Sequence, residues 1–242
     1  MAEGTSILTN CAIEPEIKDL VNFINAMGGK IKWIGKRTVR IYGVNKFNDV
    51  YYKVMSDRIE AGTYLILGAM SEGALKIQGI NPKIIKTEVD ILKKIGAKII
   101  LSKNQIIISG SKKIKGINIK TAPYPGFPSD LQAQLMVLLC KAEKYSVIQE
   151  KIFENRFMHV SELNRMGAKI IIKKNKAIIN GNTKFRGAEL MATDLRASVS
   201  LIIAALTAKE KSIISRIYHL DRGYEEIEKK LRKIGANIRR TS

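Results

Sequence analysis

Asp130 closes a nine-residue stretch, APYPGFPSD from Ala122, that holds three of the chain's five prolines, one glycine and two aromatics. Proline fixes φ and lacks an amide donor, so the backbone here is stiff and extended before it turns. Ser129 is placed to cap a helix that starts near Asp130 and carries the apolar run Leu131 to Leu139. The stretch therefore reads as a rigid elbow that aims a carboxylate from the start of a helix. Two readings stand: a carboxylate aimed for function, or a structural turn with a capping aspartate. Spacing alone favours the second.

Four further strings join an acid or amide to arginine: SDRIEAGT at Ser56, FENRF at Phe153, ATDLRAS at Ala192 and YHLDRGYE at Tyr218. Lysine outnumbers arginine thirty to twelve, yet every one of these strings uses arginine. A planar guanidinium holds a carboxylate or phosphate through two parallel bonds, a task for which lysine is a poor replacement. Arg156, Arg196 and Arg222 fall in loops or near predicted helix starts, where equivalent ends of repeats can converge on one cleft. Taken singly, each pair serves equally well as a cap or a salt bridge between repeats. His159 lies beside the start of an amphipathic helix, where a structural role is commoner. His219 precedes Asp221-Arg222 and is placed to orient that loop; neither histidine has metal-ligand spacing.

The elements that carry these residues recur. Four amphipathic endings, NFINAMGGKI at Asn22, DILKKIGAKI at Asp90, ELNRMGAKI at Glu162 and KLRKIGANI at Lys230, each run into glycine. Those glycines, Gly28, Gly96, Gly167 and Gly235, are spaced 68, 71 and 68 residues apart. Each ending predicts a helix closed by glycine and followed by a strand. Between them lie Asp-led helices at Asp57, Asp130 and Asp194, apolar nearly all round and so suited to an interior. Lys103-Asn104 and Lys174-Asn175 predict hairpin turns. Three buried helices in three repeats imply sheets outside and helices inside. A parallel dinucleotide-binding sheet is excluded, because no Gly-x-Gly-x-x-Gly joins a strand to a helix.

The first repeat holds only its second half. Residues 1–50 are read as the remnant of another domain, and 51–242 as a three-repeat domain, with a polar linker near Asn45 to Asp49. A piece as small as the first buries too little surface to be stable alone. No apolar run reaches the ~18 residues a membrane span needs, and the N-terminus has no signal pattern, so a cytoplasmic protein is expected. Cys11 and Cys140 are far apart and read as core residues; a disulfide, a metal and a cofactor are not expected. The formal charge of +20 points to a polyanion, but the lysines are scattered and show no basic strip interleaved with aromatics. Nucleic acid is therefore not expected as a partner, nor is a membrane.

Taken together, APYPGFPSDLQAQ, ENRFMHVSELNRMGA, ATDLRAS and HLDRGYEEIEKKL, with SDRIEAGTYLILGA and GTSILTNCAIEPEI, resemble the UDP-N-acetylglucosamine enolpyruvyl transferases. The resemblance runs over essentially the whole chain in order; the related EPSP synthases share the fold with different motifs. It implies an inside-out α/β repeat fold (EPSP synthase-like), with buried helices and outer mixed sheets. The implied activity is transfer of enolpyruvate from phosphoenolpyruvate to the 3′-hydroxyl of UDP-N-acetylglucosamine, with release of phosphate, in peptidoglycan synthesis. By the same resemblance Asp130 is the candidate general base and Asp194 a second acid near the reacting carbons. Ile152 contacts the nucleotide-sugar, and Arg156, Arg196 and Arg222 surround phosphoenolpyruvate. The family's mobile loop with its general acid lies in a half this chain does not show. The isolated chain is thus expected to be inactive, with room for a separate chain carrying that N-terminal half. The competing expectation is an inactive remnant that binds a UDP-sugar or another protein.

Overall fold

The computed structural model describes residues 1–241. The chain divides into two compact units, Met1–Ser56 with Pro123–Pro125, and Asp57–Ala122 with Gly126 onward.

In the first unit β1 (Thr5–Leu8), α1 (Pro15–Ala26), β2 (Lys30–Gly35) and β3 (Thr38–Tyr42) form a three-stranded antiparallel sheet with one helix. Pro15 opens α1, where its missing donor costs nothing. Gly28 closes it at φ 96°, a left-handed conformation that L side chains resist. The amide of Asn25 then bonds both backbone groups of Ile31, which turns the chain into β2. Residues 43–56 carry no regular structure but are tied to α1. The Tyr52 hydroxyl donates to Asp19 Oδ1 at 2.8 Å, and the Met55 amide to Oδ2 at 3.2 Å. Among the described residues of this unit only Val39 is buried, while Ile7, Leu8, Leu20, Tyr51 and Val54 are exposed. It has no core of its own.

The second unit repeats one pattern. Its first copy is α2 (Arg58–Met70), β4 (Ala74–Gln78), α3 (Lys86–Ile95), β5 (Lys98–Ser102) and β6 (Gln105–Ser109). The second is β7 (Asn118–Lys120), α4 (Gln132–Cys140), β8 (Ser146–Gln149), α5 (Val160–Arg165), β9 (Lys169–Lys173) and β10 (Lys176–Asn180). The third is β11 (Glu189–Met191), α6 (Leu195–Leu206), β12 (Ile213–Ser215) and α7 (Ile227–Lys233). Sheet orders β4-β6-β5 and β8-β10-β9 match β1-β3-β2 of the first unit, and the same antiparallel pairing recurs in all three. β7 adds parallel to β8, and β11 pairs parallel with β12. The expected glycines close α3 and α5 at φ 118° and 96°. Asn164 repeats the two bonds of Asn25, now to Ile170. Gly235 also has positive φ, but the strand expected after it is not found among the described residues.

Burial follows the hydropathy pattern. All nine residues of α4 are buried, and α4 packs against both α2 and α6. A helix apolar on every side has no solvated position available, so it takes the centre. The sheets show one face inward: Ile106 and Ile108 of β6, and Ala177 and Ile179 of β10, lie in the core while their neighbours face outward. The architecture is the inside-out α/β arrangement, helices within and mixed sheets outside.

Asp-led helix starts divide into two kinds. Asp57 caps α2 through the amides of Ile59 and Glu60, and Asp194 caps α6 through those of Arg196 and Ala197. At the third start Ser129 was the expected cap. Instead Ser129–Leu131 form a single 3-10 turn, α4 begins at Gln132, and no side chain caps either. The Ser129 hydroxyl donates to Glu150 Oε2 at 2.8 Å, because an ionised carboxylate is the stronger acceptor within reach. Asp130 is thereby released from capping.

Candidate functional site

The proline elbow is pinned at its base. Thr121 bridges Phe127, the Ala122 amide donates to the Phe127 carbonyl at 3.0 Å, and the Tyr124–Pro125 peptide is cis. Behind it Gly62 of α2 lies so close to Leu131 that an added Cβ would sit 2.4 Å from Leu131 Cδ1. This close approach seats the turn that presents Asp130.

The carboxylate of Asp130 meets two guanidinium groups from elsewhere in the chain. Arg156 Nη2 donates to Oδ1 at 2.7 Å, and Arg196 Nε donates to the same oxygen at 3.1 Å. Arg156 comes from the loop after β8, where its guanidinium lies 4.7 Å over the Phe153 ring. Arg196 is the second residue of α6, positioned by the Asp194 cap. The side chains of Asp130, Arg156 and Arg196 are 40%, 26% and 19% exposed. Ion pairs this open to solvent contribute at most about 1 kcal/mol each to stability. Their arrangement is better explained by what it leaves available. Among the described residues no hydrogen bond reaches Asp130 Oδ2, and each guanidinium retains further N–H groups. One carboxylate between two arginines leaves a local charge of +1, suited to a small anion held through a fork of donors beside a free acceptor oxygen.

The other expected residues are placed as follows. Asp194 is committed through Oδ1 to its cap, with Thr193 Oγ1 on Oδ2 at 3.3 Å. Ile152 is exposed in the loop that leads to Arg156. Arg222 is exposed at the end of a 3-10 segment, Ile217–Arg222, and is not brought onto Asp130. Its neighbour Asp221 pairs with Arg240 at 2.6 Å. Arg58, from the SDRIEAGT string, is buried and faces Glu88 of α3 at 3.7 Å, so that string serves packing within the first repeat of the second unit. His159 is buried, and burial drives its pKa down to about 4, with Asp194 opposing and Arg156 adding to the shift. His219 stacks on Tyr218, ring centroids 4.2 Å apart. Cys140 lies in the core, where burial pushes its thiol up to about 12. Among the described residues no cluster of His, Cys, Asp or Glu could hold a metal ion, and no helix is long and apolar enough to cross a membrane.

Two groups of residues around the site escaped the sequence reading. Gln134 Nε2 donates to the Asp130 carbonyl at 3.0 Å and also reaches Thr63 Oγ1 and the Tyr224 hydroxyl. Glu150, 2% exposed, holds the base of the elbow. The available signals were two glutamines opening an otherwise apolar helix and an acid directly after a strand.

The EPSP synthase (3-phosphoshikimate 1-carboxyvinyltransferase) family model matches residues 1–231. The UDP-N-acetylglucosamine 1-carboxyvinyltransferase of Pelagibacter ubique is 72% identical over 240 residues, covering 99% of this chain and 58% of that protein. The protein of the same name from Geotalea uraniireducens is 52% identical, covering 98% and 57%. The chain thus spans under three-fifths of the curated relatives it matches. Among solved structures, the enolpyruvyl transferase NikO from Streptomyces tendae superposes with a TM-score of 0.89 at 27% identity, over 98% of this chain and 57% of that one. EPSP synthase from Acinetobacter baumannii, at 22% identity and TM-score 0.76, shares the fold. With its repeats, its inward helices and its family match all in agreement, the chain belongs to the EPSP synthase family of enolpyruvyl (1-carboxyvinyl) transferases.

Proposed function

We propose that this chain supplies one side of a site that transfers enolpyruvate from phosphoenolpyruvate to the 3′-hydroxyl of UDP-N-acetylglucosamine, a step of peptidoglycan synthesis. The observation that carries the reading is the convergence of Arg156 and Arg196 on Oδ1 of Asp130. The 72% identity to a relative of that name supports it. Asp130 takes the proton of the sugar hydroxyl as its oxygen adds to C2 of phosphoenolpyruvate, while C3 gains a proton. The C2–O bond to phosphate in the tetrahedral adduct then breaks, phosphate leaving with the bonding pair, as C3 gives up a proton and the C2–C3 double bond re-forms. Arg156, Arg196 and Arg222 hold the carboxylate and phosphate through this sequence, where fixed donors stabilise developing charge. Asp194 sets Arg196 and stands near the reacting carbons, and Ile152 gives an apolar wall to the nucleotide-sugar.

Residues 1–50 are assigned to the family's other domain and 51–242 to this one. The donor of the C3 proton and the remaining phosphoenolpyruvate contacts then lie in the portion of the relatives that this chain does not span. The chain alone is expected to release no phosphate from the two substrates, and to do so once that N-terminal portion is supplied. Phosphate release, measured with and without it, tests the reading. Binding of UDP-N-acetylglucosamine without turnover in both cases would leave a sugar-nucleotide-binding protein instead.

A further inference from the structure

We propose that Glu150 is a positioning residue for the Asp130–Arg156 pair, a role that rests on the functional reading above. Glu150 follows β8 and is itself fixed by the β9–β10 turn: its amide donates to the Asn175 carbonyl at 2.8 Å, and its carbonyl accepts from Asn175 Nδ2 at 3.0 Å. Its two carboxylate oxygens face in different directions. Oε1 accepts from Thr121 Oγ1 at 2.7 Å, from the Ile152 amide at 2.8 Å and from the Phe153 amide at 3.2 Å. Oε2 accepts from Ser129 Oγ at 2.8 Å.

These four donors sit at both sources of the ion pair. Thr121 is the base of the elbow, and Ser129 is the residue before Asp130. Ile152 and Phe153 begin the loop that ends in Arg156, and the Phe153 ring lies beneath its guanidinium. One buried carboxylate therefore sets the separation of two segments whose tips carry Asp130 and Arg156. A carboxylate accepts from all four at once: the Ile152 and Phe153 amides can only donate, and the two hydroxyls donate in this arrangement. Glutamine would keep one acceptor oxygen and turn its amide NH2 towards Ser129, whose hydroxyl must then reverse and accept a weaker, uncharged bond. A buried charge is a poor device for stability alone, since an apolar replacement is often as stable. Its value here lies in holding the two segments in register.

The test assays phosphate release by the chain together with the N-terminal portion its relatives carry. Ser129→Ala cuts only the Oε2 arm, and Glu150→Gln keeps the side-chain volume. Both are expected to lower kcat about tenfold to a hundredfold, with KM for UDP-N-acetylglucosamine within about twofold and an unchanged circular dichroism spectrum. Added to Arg156→Lys, Glu150→Gln should cost less than about a further twofold, because both changes disable the same pair. Losses that multiply, or an unchanged kcat in the single variants, overturn the proposal. Absence of phosphate from the unmutated assembly would overturn the functional reading instead. A crystal structure of Glu150→Gln then decides: an Asp130–Arg156 contact kept at 2.7 Å overturns the positioning role, and a broken one supports it.

Discussion

The hydroxyl of Tyr224 lies 2.8 Å from Oγ1 of Thr63, a residue 161 positions earlier, in the buried centre of the second unit. Thr63 gives its one proton to the Ile59 carbonyl at 2.9 Å, so the Tyr224 proton points at Thr63. Gln134 completes the group, with Nε2 3.2 Å from Thr63 Oγ1 and 3.4 Å from the Tyr224 hydroxyl. Each of the three repeats thus contributes one polar side chain to the same point. Through Gln134 that point is bonded to the Asp130 carbonyl, and Tyr224 stands two residues after Arg222.

Tyr224→Phe removes the donor to Thr63 and the acceptor of Gln134 in a site water does not reach. The expected loss is about 1–3 kcal/mol, the cost of leaving buried partners unsatisfied. Thr63→Val in the same background should cost less than it does alone, since both ends of the bond are then apolar. Urea midpoints of the two single variants and the double variant measure the coupling, and strict additivity would mean the contact is not a bond.

At the site, Arg196 uses Nε on Asp130 and retains its terminal nitrogens, a division a lysine cannot make. Under the proposed function, and with the N-terminal portion supplied, Arg196→Lys should raise KM for phosphoenolpyruvate by about tenfold or more, the value of one charged hydrogen bond. Asp130→Asn should instead lower kcat by at least about a hundredfold and leave UDP-N-acetylglucosamine affinity within about threefold. Steady-state kinetics with calorimetric binding separates the two outcomes. Equal effects on both substrates in both variants would remove the assigned division of labour.

His159 makes stability depend on pH in a definite window. The unfolded histidine titrates near 6.5 and the buried one near 4. Between those values the unfolded chain binds a proton that the folded chain does not. Stability therefore falls as pH drops from about 6.5 to about 4, by an amount on the order of 3 kcal/mol, and this contribution is flat outside the window. His159→Phe should flatten that part of the profile. Denaturant unfolding of parent and variant at pH 7 and pH 4.5 checks it, and parallel profiles would exclude His159 as the source.

Local and repeated features were legible in the sequence; convergent ones were not. The four glycine-ended helices, the Lys-Asn hairpins and the all-round apolar helices each follow from a short window of residues. Asp57, Asp130 and Asp194 look alike in sequence, and nothing in the strings separates the two caps from the carboxylate that faces arginines. The difference arises because Ser129 is drawn to Glu150, 21 residues away. Glu150, Gln134 and Tyr224 were missed for the same reason, since their partners are brought to them only by the packing of the repeats. Arg58 shows the converse, a string like the others whose arginine is used for packing against α3.

The repeat glycines offer a graded test of backbone strain. Gly96 and Gly167 both hold left-handed φ, at 118° and 96°, which costs an L residue about 1–2 kcal/mol. Alanine recovers about 0.4–1 kcal/mol by restricting the unfolded chain, so strain should prevail narrowly where space allows. At Gly167 an added Cβ meets only ordinary contact, 3.5 Å from the Lys184 carbonyl; at Gly96 it comes within 3.1 Å of the Lys113 carbonyl oxygen. Gly96→Ala should therefore destabilise more than Gly167→Ala, and Gly167→Asn less than either, because asparagine tolerates this conformation. Thermal unfolding of the three variants gives the order. Equal losses at the two glycines would show that backbone conformation, and not the Lys113 carbonyl, sets the cost at Gly96.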